Sequence, residues 1–257
     1  MRTSDQDGVL LYAFTCGYIT LPMSFFLDGE PGKAKVPACV FLIDHPKGLV
    51  LFDSGFSDRF IGMEKGLGKI VDMPAGETVS DKLRGLDIDP AQIDYVINSH
   101  LHIDHAGGNR LIPDATIISQ SSEWDYGMAG EDTAYAIEDF DTGQPVQRIT
   151  GELDLFDDGT VIIFPTAGHT PGHQSVQVKT ATGLAILAGD CCNMRRSLDE
   201  MHLPDHCFNV DQYRGSLEKL SKIRRAGAQI FYGHDPDFWA MIPQSESLNL
   251  NRIGEPK

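Results

Sequence analysis

The residues best suited to chemistry form a short run near the middle of the chain. His100, His102, Asp104 and His105 fall within six residues, directly after an apolar run. Imidazole and carboxylate groups bind zinc and neighbouring first-row metals. Two histidines separated by one residue point to the same side of an extended backbone, and Asp104 and His105 follow where the chain turns. The spacing therefore predicts two adjacent metal ions. A solvated polar cluster, the alternative, does not explain this density of ligands.

Further metal-capable residues follow other apolar runs. His169, Asp190 and His234 come after the runs at 161–164, 184–189 and 230–232. Loops that follow buried strands often carry chemistry, and packing poorly explains an acid at the end of such a run. We therefore expect His169 and His234 at the same site as the first cluster, with Asp190 beside them. His173 is predicted to support the site or the fold. The other histidines, predicted to be surface or packing residues, are His45, His202 and His206.

Strands and short helices must position these side chains. The predicted strands cover residues 9–14, 37–43, 49–52, 94–99, 115–119, 161–164, 173–178, 184–189 and 230–232. Helices are predicted over 78–86, from Asp89, from Ser122 and over 209–227. Residues 56–76 are predicted to be a flexible apolar loop beside a cleft. The acidic segment 126–151 is interpreted as either a lid or a solvated connection.

Composition restricts the partners and the location. Lys and Arg total 21 against 37 Asp and Glu, which gives a formal net charge of -16. A surface this acidic repels a phosphate backbone, so no nucleic-acid partner is expected. No segment approaches a membrane span, and the polar stretch Met1–Asp7 lacks the pattern of an export signal, so we expect a cytoplasmic protein without a membrane partner. The five cysteines are predicted to be reduced, and residues 1–257 to form one domain.

The order of these motifs resembles the metallo-β-lactamase superfamily over nearly the whole chain. Residues 99–109 (SHLHIDHAGGN) and 168–175 (GHTPGHQS) are most similar to its N-acyl homoserine lactone lactonases. The resemblance implies an α/β fold of the αββα sandwich type, in which two mixed β-sheets are flanked by helices. It places a dinuclear metal site at one edge of the sheets.

The resemblance also implies a ligand set for two divalent metal ions, with zinc as the default. One ion would be held by His100, His102 and His169, the other by Asp104, His105 and His234, and Asp190 would bridge them. Asp53, at the end of the strand 49–52, would support a ligating histidine through a hydrogen bond.

The implied activity is hydrolysis of the lactone ring of N-acyl homoserine lactones, a small-molecule substrate class, which would quench quorum signals. A hydroxide shared by the two metals would attack the carbonyl, and Asp104 would pass a proton to the departing alkoxide. The family's lactonases usually have a tyrosine three residues after the bridging aspartate, where this chain has Asn193. Asparagine donates a hydrogen bond over a shorter reach, so this departure bears on the substrate more than on the reaction.

Apolar residues outside the motifs suggest an acyl-binding cleft. The candidates, which are otherwise core residues, are Phe25, Phe26, Phe60, Met63 and Met201. Two alternatives remain open: a hydrolase of another lactone or carboxylic ester at the same site, and a non-catalytic metal-binding protein. The presence of all seven expected ligands disfavours the second. The native metal, the preferred acyl length and the oligomeric state are left open by the sequence.

Overall fold

Two β-sheets form the centre of the fold. The structure, a computed structural model, describes residues 8–253, so the polar stretch Met1–Asp7 lies outside the described residues. The first sheet contains β1 (Leu10–Pro22), β2 (Lys33–His45), β3 (Gly48–Phe52), β4 (Val71–Asp72), β5 (Tyr95–Ile97), β6 (Thr116–Gln120) and β7 (Val146–Ile149). The second contains β8 (Leu153–Asp154), β9 (Val161–Pro165), β10 (Gln174–Thr180), β11 (Gly183–Leu187) and β12 (Gln229–Phe231).

Both sheets are mixed, as predicted. In the described part of the chain the strand order is β4-β1-β2-β3-β5-β6-β7 in the first sheet and β12-β11-β10-β9-β8 in the second. Strands β3, β5, β6 and β7 are parallel neighbours, whereas β1 pairs antiparallel with β2 and β4. In the second sheet only the β11–β12 pair is parallel among the described strands.

Helices flank the two sheets. They are α1 (Val79–Arg84), α2 (Ser121–Ala129), α3 (Ile137–Phe140), α4 (Arg195–Asp199), α5 (Val210–Arg225) and α6 (Pro236–Trp239). Thr78 caps α1 through a capping box with Asp81, and Asn209 caps α5 by accepting a hydrogen bond from the Gln212 N–H. The predicted helix at Asp89 is a single 3₁₀ turn. No helix within residues 8–253 has the length and apolarity needed to cross a bilayer.

Strand β2 shows why both faces of the first sheet are buried. Cys39, Phe41 and Ile43 point into the core shared with the second sheet. Val40 and Leu42 point to the opposite face, into the cluster that contains apolar side chains of α1. Successive side chains of a strand alternate between faces, so an uninterrupted apolar run fits a strand covered on both sides.

Strand β1 is longer than predicted. It pairs with β2 from Leu10 to Pro22, with an irregular register between Thr15 and Tyr18. Gly17 within this bulge has φ +99°, and a Cβ there would lie 2.7 Å from the ring of Phe56. The glycine breaks the alternation of apolar residues, so the pattern hides the second half of the strand.

The parallel pairs determine where the loops meet. Strands β3 and β5 run parallel in the first sheet, and β11 and β12 run parallel in the second. Parallel strands place their carboxyl ends at the same edge of a sheet. The residues that follow these four strands therefore gather at two facing edges, which is where the metal-capable side chains lie.

Candidate metal centre

Four loops deliver the candidate ligands and a fifth carries the supporting Asp53, and each of the five follows a strand. Asp53 follows β3, residues 98–105 follow β5, His169 follows β9, Asp190 follows β11, and His234 follows β12. The structure brings all seven sequence-predicted ligands together in overlapping groups whose ligand atoms lie within 4.8 Å of one another. The two halves of the centre therefore come from both sheets.

Three imidazoles form the first half of the centre. His102 Nδ1 lies 2.9 Å from His100 Nε2 and 3.3 Å from His169 Nε2. In a tetrahedral zinc site with Zn–N distances of about 2.0–2.1 Å, ligand nitrogens lie roughly 3.3 Å apart. The three nitrogens are thus close to the separation that one metal ion requires.

The second half combines a carboxylate with two imidazoles. Asp104 Oδ2 lies 3.7 Å from His105 Nε2 and 3.6 Å from His234 Nε2. The side chain of Asp104 is 12% exposed, whereas both histidines are buried. This half can hold a second ion and still present one carboxylate to solvent or substrate.

Asp190 lies between the two halves. Its Oδ1 is 3.3 Å from His105 Nε2 and 3.1 Å from His234 Nε2. Its Oδ2 is 3.5 Å from His169 Nε2. One oxygen therefore faces each half, which is the geometry of a bridging carboxylate.

Hydrogen bonds hold the imidazoles in these orientations. Asp53 Oδ2 accepts from His105 Nδ1 at 2.8 Å, and Asp53 Oδ1 accepts from the Ser99 N–H at 2.6 Å. His234 Nδ1 donates to the Pro37 carbonyl at 2.9 Å. Because Nδ1 donates to this carbonyl, Nε2 is the His234 atom that faces Asp104 and Asp190, and it can bind a metal ion once it carries no proton.

Burial and charge set the protonation of the cluster. Burial lowers the pKa of His102 to about 4 and that of His169 to about 3, so both rings are neutral ligands at pH 7. Burial also opposes a charge on His105, but Asp104, Asp190 and Asp53 outweigh it and raise the pKa of His105 well above its usual value. The second half therefore attracts positive charge.

Two buried atoms at the centre of the cluster indicate that a cation fits there. His105 Nε2 and Asp190 Oδ1 have no hydrogen-bond partner among residues 8–253. A buried polar atom without a partner costs about 1–3 kcal/mol. A metal ion between them would satisfy both atoms, and the nitrogen and oxygen donors suit zinc or a similar divalent metal.

Comparison with known proteins identifies the family. Residues 36–234 match the model of the metallo-β-lactamase superfamily. The chain belongs to the metallo-β-lactamase superfamily. The predicted resemblance and the αββα fold are thereby confirmed.

The chain is also similar to individual proteins. N-acyl homoserine lactonase AttM of Azorhizobium caulinodans is 33% identical over 228 residues, which are 82% of this chain and 87% of that protein. N-acyl homoserine lactonase AiiA of Bacillus thuringiensis subsp. kurstaki is 28% identical over 80% of this chain and 84% of its own length. A solved N-acyl homoserine lactone hydrolase with N-hexanoyl-L-homoserine at its metal centre has a TM-score of 0.85 at 24% identity. The alignment covers 93% of this chain and 98% of that one.

In the protein described here, a cavity of about 610 Å³ opens at the candidate metal centre. Asp104, Asp190 and Asn193 lie on its polar side. The apolar side is lined by Ile19, Leu21, Phe25, Phe26, Leu67 and Ile70. The volume falls within the range of small-molecule sites, and the combination of apolar walls with a few polar groups is typical of them.

Some of the predicted acyl-contact residues line the cavity, and others lie outside it. Phe25 and Phe26 line the cavity, so they stay candidates for contact with an acyl chain. Phe60, Met63 and Met201 do not line it in the described structure, so their assignment is corrected. Phe60 is a buried core residue, and Met63 lines a separate depression. Met201 lines another depression, next to α4.

The loop 56–76 still contributes to the cavity, but through other residues than predicted. Leu67 lies on a 3₁₀ turn at Gly66–Lys69, and Ile70 follows directly. Turns of this kind give no regular alternation from which the inward-facing side chain could be chosen. The sequence analysis therefore identified the segment beside the cavity but not the side chains of it that line the cavity.

Asn193 and His173 both lie at the site. Asn193 is buried, lines the cavity, and carries a side-chain oxygen that lacks a partner in the described chain. His173 accepts a hydrogen bond from the Cys191 N–H through Nε2, at 3.2 Å, and its Nδ1 lies 2.9 Å from Thr166 Oγ1. His173 thus holds the turn that carries Asp190, which agrees with a supporting position.

Sequence reasoning missed several residues around the centre. His206, predicted to be a surface or packing residue, stacks on Phe25 at the cavity with ring centroids 4.9 Å apart. The segment 126–151 forms a wall, because Asp132, Thr133 and Ala134 line the cavity. Nothing in the sequence distinguishes Glu123, which is buried, because acidic residues are common in the first turn of a helix.

Proposed function

We propose that this protein is a dinuclear metal-dependent hydrolase that opens the lactone ring of N-acyl homoserine lactones. The observation that carries the proposal is Asp190 placed between two ligand groups at the polar side of an apolar cavity. The names of the relatives, N-acyl homoserine lactonases, point to the same substrate class.

The ligand assignment is part of this proposal. His100, His102 and His169 would hold one ion, Asp104, His105 and His234 would hold the other, and Asp190 would contact both. We propose zinc in both positions, because the donors are imidazole nitrogens and carboxylate oxygens. When bound, two such ions supply an acidified water as nucleophile and polarise a carbonyl oxygen.

The chain's own residues supply the remaining functions. Asp104 lines the cavity and is partly exposed, so its carboxylate would take the proton that the attacking water loses and pass it to the alkoxide oxygen that leaves when the ring opens. Asn193 would contact the polar part of the substrate, because its side chain is buried at the cavity with an unpaired oxygen. The apolar wall would bind the acyl chain and keep bulk water from the ester.

Proton release during hydrolysis tests the proposal. We would compare N-acyl homoserine lactones of several lengths with a plain γ-lactone, a β-lactam and a glutathione thioester, before and after metal removal. Metal-dependent turnover confined to the homoserine lactones supports the proposal. Turnover of the thioester or the β-lactam without turnover of any lactone would overturn it.

A second candidate is hydrolysis of another lactone or carboxylic ester at the same centre. The observation that favours it is Asn193, which stands where the family's lactonases usually have tyrosine. A shorter donor changes which carbonyl can be reached and leaves the metal ligands unchanged. Faster turnover of the plain γ-lactone than of every homoserine lactone would select this candidate.

The cytoplasmic location, the single domain and the lack of a nucleic-acid partner stay predictions from the sequence.

A further inference from the structure

A buried carboxylate outside the ligand set joins the two loops that carry the first half of the centre. Glu123 lies in the first turn of α2 and is 1% exposed. Its side chain contacts the loop that carries His100 and His102 and also the loop that carries His169. Burying a carboxylate is costly unless its oxygens are satisfied, so its partners define its function.

Each oxygen of Glu123 serves a different loop. Oε1 accepts from the Leu101 N–H at 3.0 Å and from the Tyr135 hydroxyl at 2.7 Å. Oε2 accepts from the Thr170 hydroxyl at 2.7 Å and from the Gly172 N–H at 3.0 Å. An ionised carboxylate can accept all of these bonds, whereas an amide cannot.

Close packing reinforces the second of these links. A Cβ at Gly172 would lie 2.3 Å from the backbone nitrogen of Glu123. The loop after His169 therefore rests directly on the backbone of α2. Its position depends on α2 as well as on its own strand.

Tyr135 extends the first link to a ligand ring. Its hydroxyl donates to Glu123, and its own ring packs edge-on against His102 with centroids 4.7 Å apart. His102 Nε2 has no hydrogen-bond partner among the described residues. Packing against Tyr135 thus replaces the hydrogen bond that usually orients a metal-binding imidazole.

We propose that Glu123 is a positioning residue that sets the separation of His102 and His169, and thereby selectively controls zinc affinity in the three-histidine half of the centre. The other half takes Asp104 and His105 from the same loop as His102, but no ligand from the loop after β9, so the distance between the two loops does not set its ligand spacing. Asp53, not Glu123, accepts the hydrogen bond from His105 Nδ1. The inference rests on the proposed metal centre but is independent of the substrate.

Single-site variants separate the two halves. His234→Ala disables the second half, and His169→Ala disables the first. Glu123→Gln is then added to each, and zinc dissociation constants are measured by competition with a chelator. Loss of a group that orients a ligand costs about 10- to 100-fold in metal affinity. We expect this loss for Glu123→Gln in the His234→Ala protein, and less than about threefold change in the His169→Ala protein.

A matched control distinguishes positioning from general destabilisation. Asp139 is another buried carboxylate, bound by Arg59 at 2.5 and 2.7 Å, and it is not among the residues of the candidate metal groups. Asp139→Asn should leave zinc affinity of the three-histidine half unchanged. Equal losses in Asp139→Asn and Glu123→Gln would overturn the proposal, as would equal losses in both halves.

Milder variants keep the test decisive if Glu123→Gln does not fold. Thr170→Val removes one bond to Oε2, and Tyr135→Phe removes one bond to Oε1. Each should weaken zinc binding in the three-histidine half by a smaller factor. Wild-type affinity in both would overturn the proposal. Because no lactone enters the measurement, a failure of the proposed lactonase activity would leave this result interpretable.

Discussion

His105 and Asp53 are joined by a hydrogen bond of 2.8 Å between Nδ1 and Oδ2. The bond turns His105 Nε2 toward Asp190 Oδ1, 3.3 Å away, and so aims one ligand at the centre. Asp53 itself has φ +60°, a conformation that only a few residue types besides glycine adopt readily. This backbone conformation places the Asp53 carboxylate within hydrogen-bond distance of the Ser99 N–H and of His105 Nδ1.

Replacement of Asp53 by asparagine should weaken the second half of the centre. Asparagine tolerates the positive φ but presents an amide N–H₂ to one of the two N–H donors. We expect zinc affinity of that half to fall by about 10- to 100-fold, measured by chelator competition. Asp72→Asn, at an exposed carboxylate paired with Lys35, is the control and should have no effect. Two tightly bound zinc ions in Asp53→Asn would refute this function of Asp53.

Metal binding should release protons at neutral pH. The folded pKa of His105 lies well above that of an unfolded histidine, about 6.5, because Asp104, Asp190 and Asp53 outweigh burial. In the metal-free protein the stabilisation from His105 is therefore complete below pH about 6.5 and is lost as the pH rises through the folded pKa. A metal must displace this proton, so zinc affinity should rise with pH.

Calorimetric zinc titrations in buffers of different ionisation enthalpy check the proton release. The pKa of His234 is also raised, because Asp190 outweighs burial. Zinc binding should therefore displace a proton from His234 as well. We expect release of at least about one proton at pH 7. Binding without proton release, with an affinity that does not vary between pH 6 and 8, would show that both imidazoles are already neutral.

Asn193 should affect turnover through its contact with the substrate. Its side chain is buried at the cavity with an unpaired oxygen. The amide oxygen can accept from a neutral N–H of the substrate, and loss of such a bond costs about 0.5–1.5 kcal/mol, so Asn193→Ala should lower kcat/KM by about 2- to 10-fold. Asn193→Tyr should change turnover as well. Zinc content should stay unchanged, and Cys192→Ala, in the adjacent core, serves as control. Unaltered kcat/KM across acyl lengths in both Asn193 variants would remove Asn193 from the mechanism.

Phe25 should select for long acyl chains. Phe25 lines the cavity at 38% exposure, and Met63 has a similar 37% exposure but lines a separate depression. Burial of one methylene is worth about 0.8 kcal/mol, so kcat/KM should rise up to about fourfold per added methylene in the wild type. Phe25→Ala should reduce this increment, and Met63→Ala should preserve it. Equal rates on short and long chains in the wild type would contradict an apolar acyl site.

The candidate metal ligands could be selected from the sequence because they follow uninterrupted apolar runs, and the structure brings these residues together. A buried strand leaves a clear pattern, and a histidine or acid directly after it has few structural explanations. His169, Asp190 and His234 therefore stood out in the sequence although they lie far apart along the chain. The mixed sheets were predicted from the family resemblance, and the order of strands is consistent with it.

Residues that act across the fold left no such pattern. Glu123 looks like an ordinary helix-terminal acid, and only the tertiary structure shows two ligand loops meeting at its carboxylate. His206 reaches the cavity by stacking on Phe25, which precedes it by about 180 residues. Met63 and Leu67 lie four residues apart in one irregular loop, and the sequence offers no periodicity that separates them.

Activity measured against bound zinc tests the central claim most directly. Metal-free protein would be titrated with zinc while hydrolysis of N-hexanoyl homoserine lactone and bound metal are recorded together. We predict negligible turnover without metal and a plateau at two equivalents, because the ligands form two groups that share Asp190. A plateau at one equivalent, or lactone hydrolysis by the metal-free protein, would contradict a dinuclear lactonase.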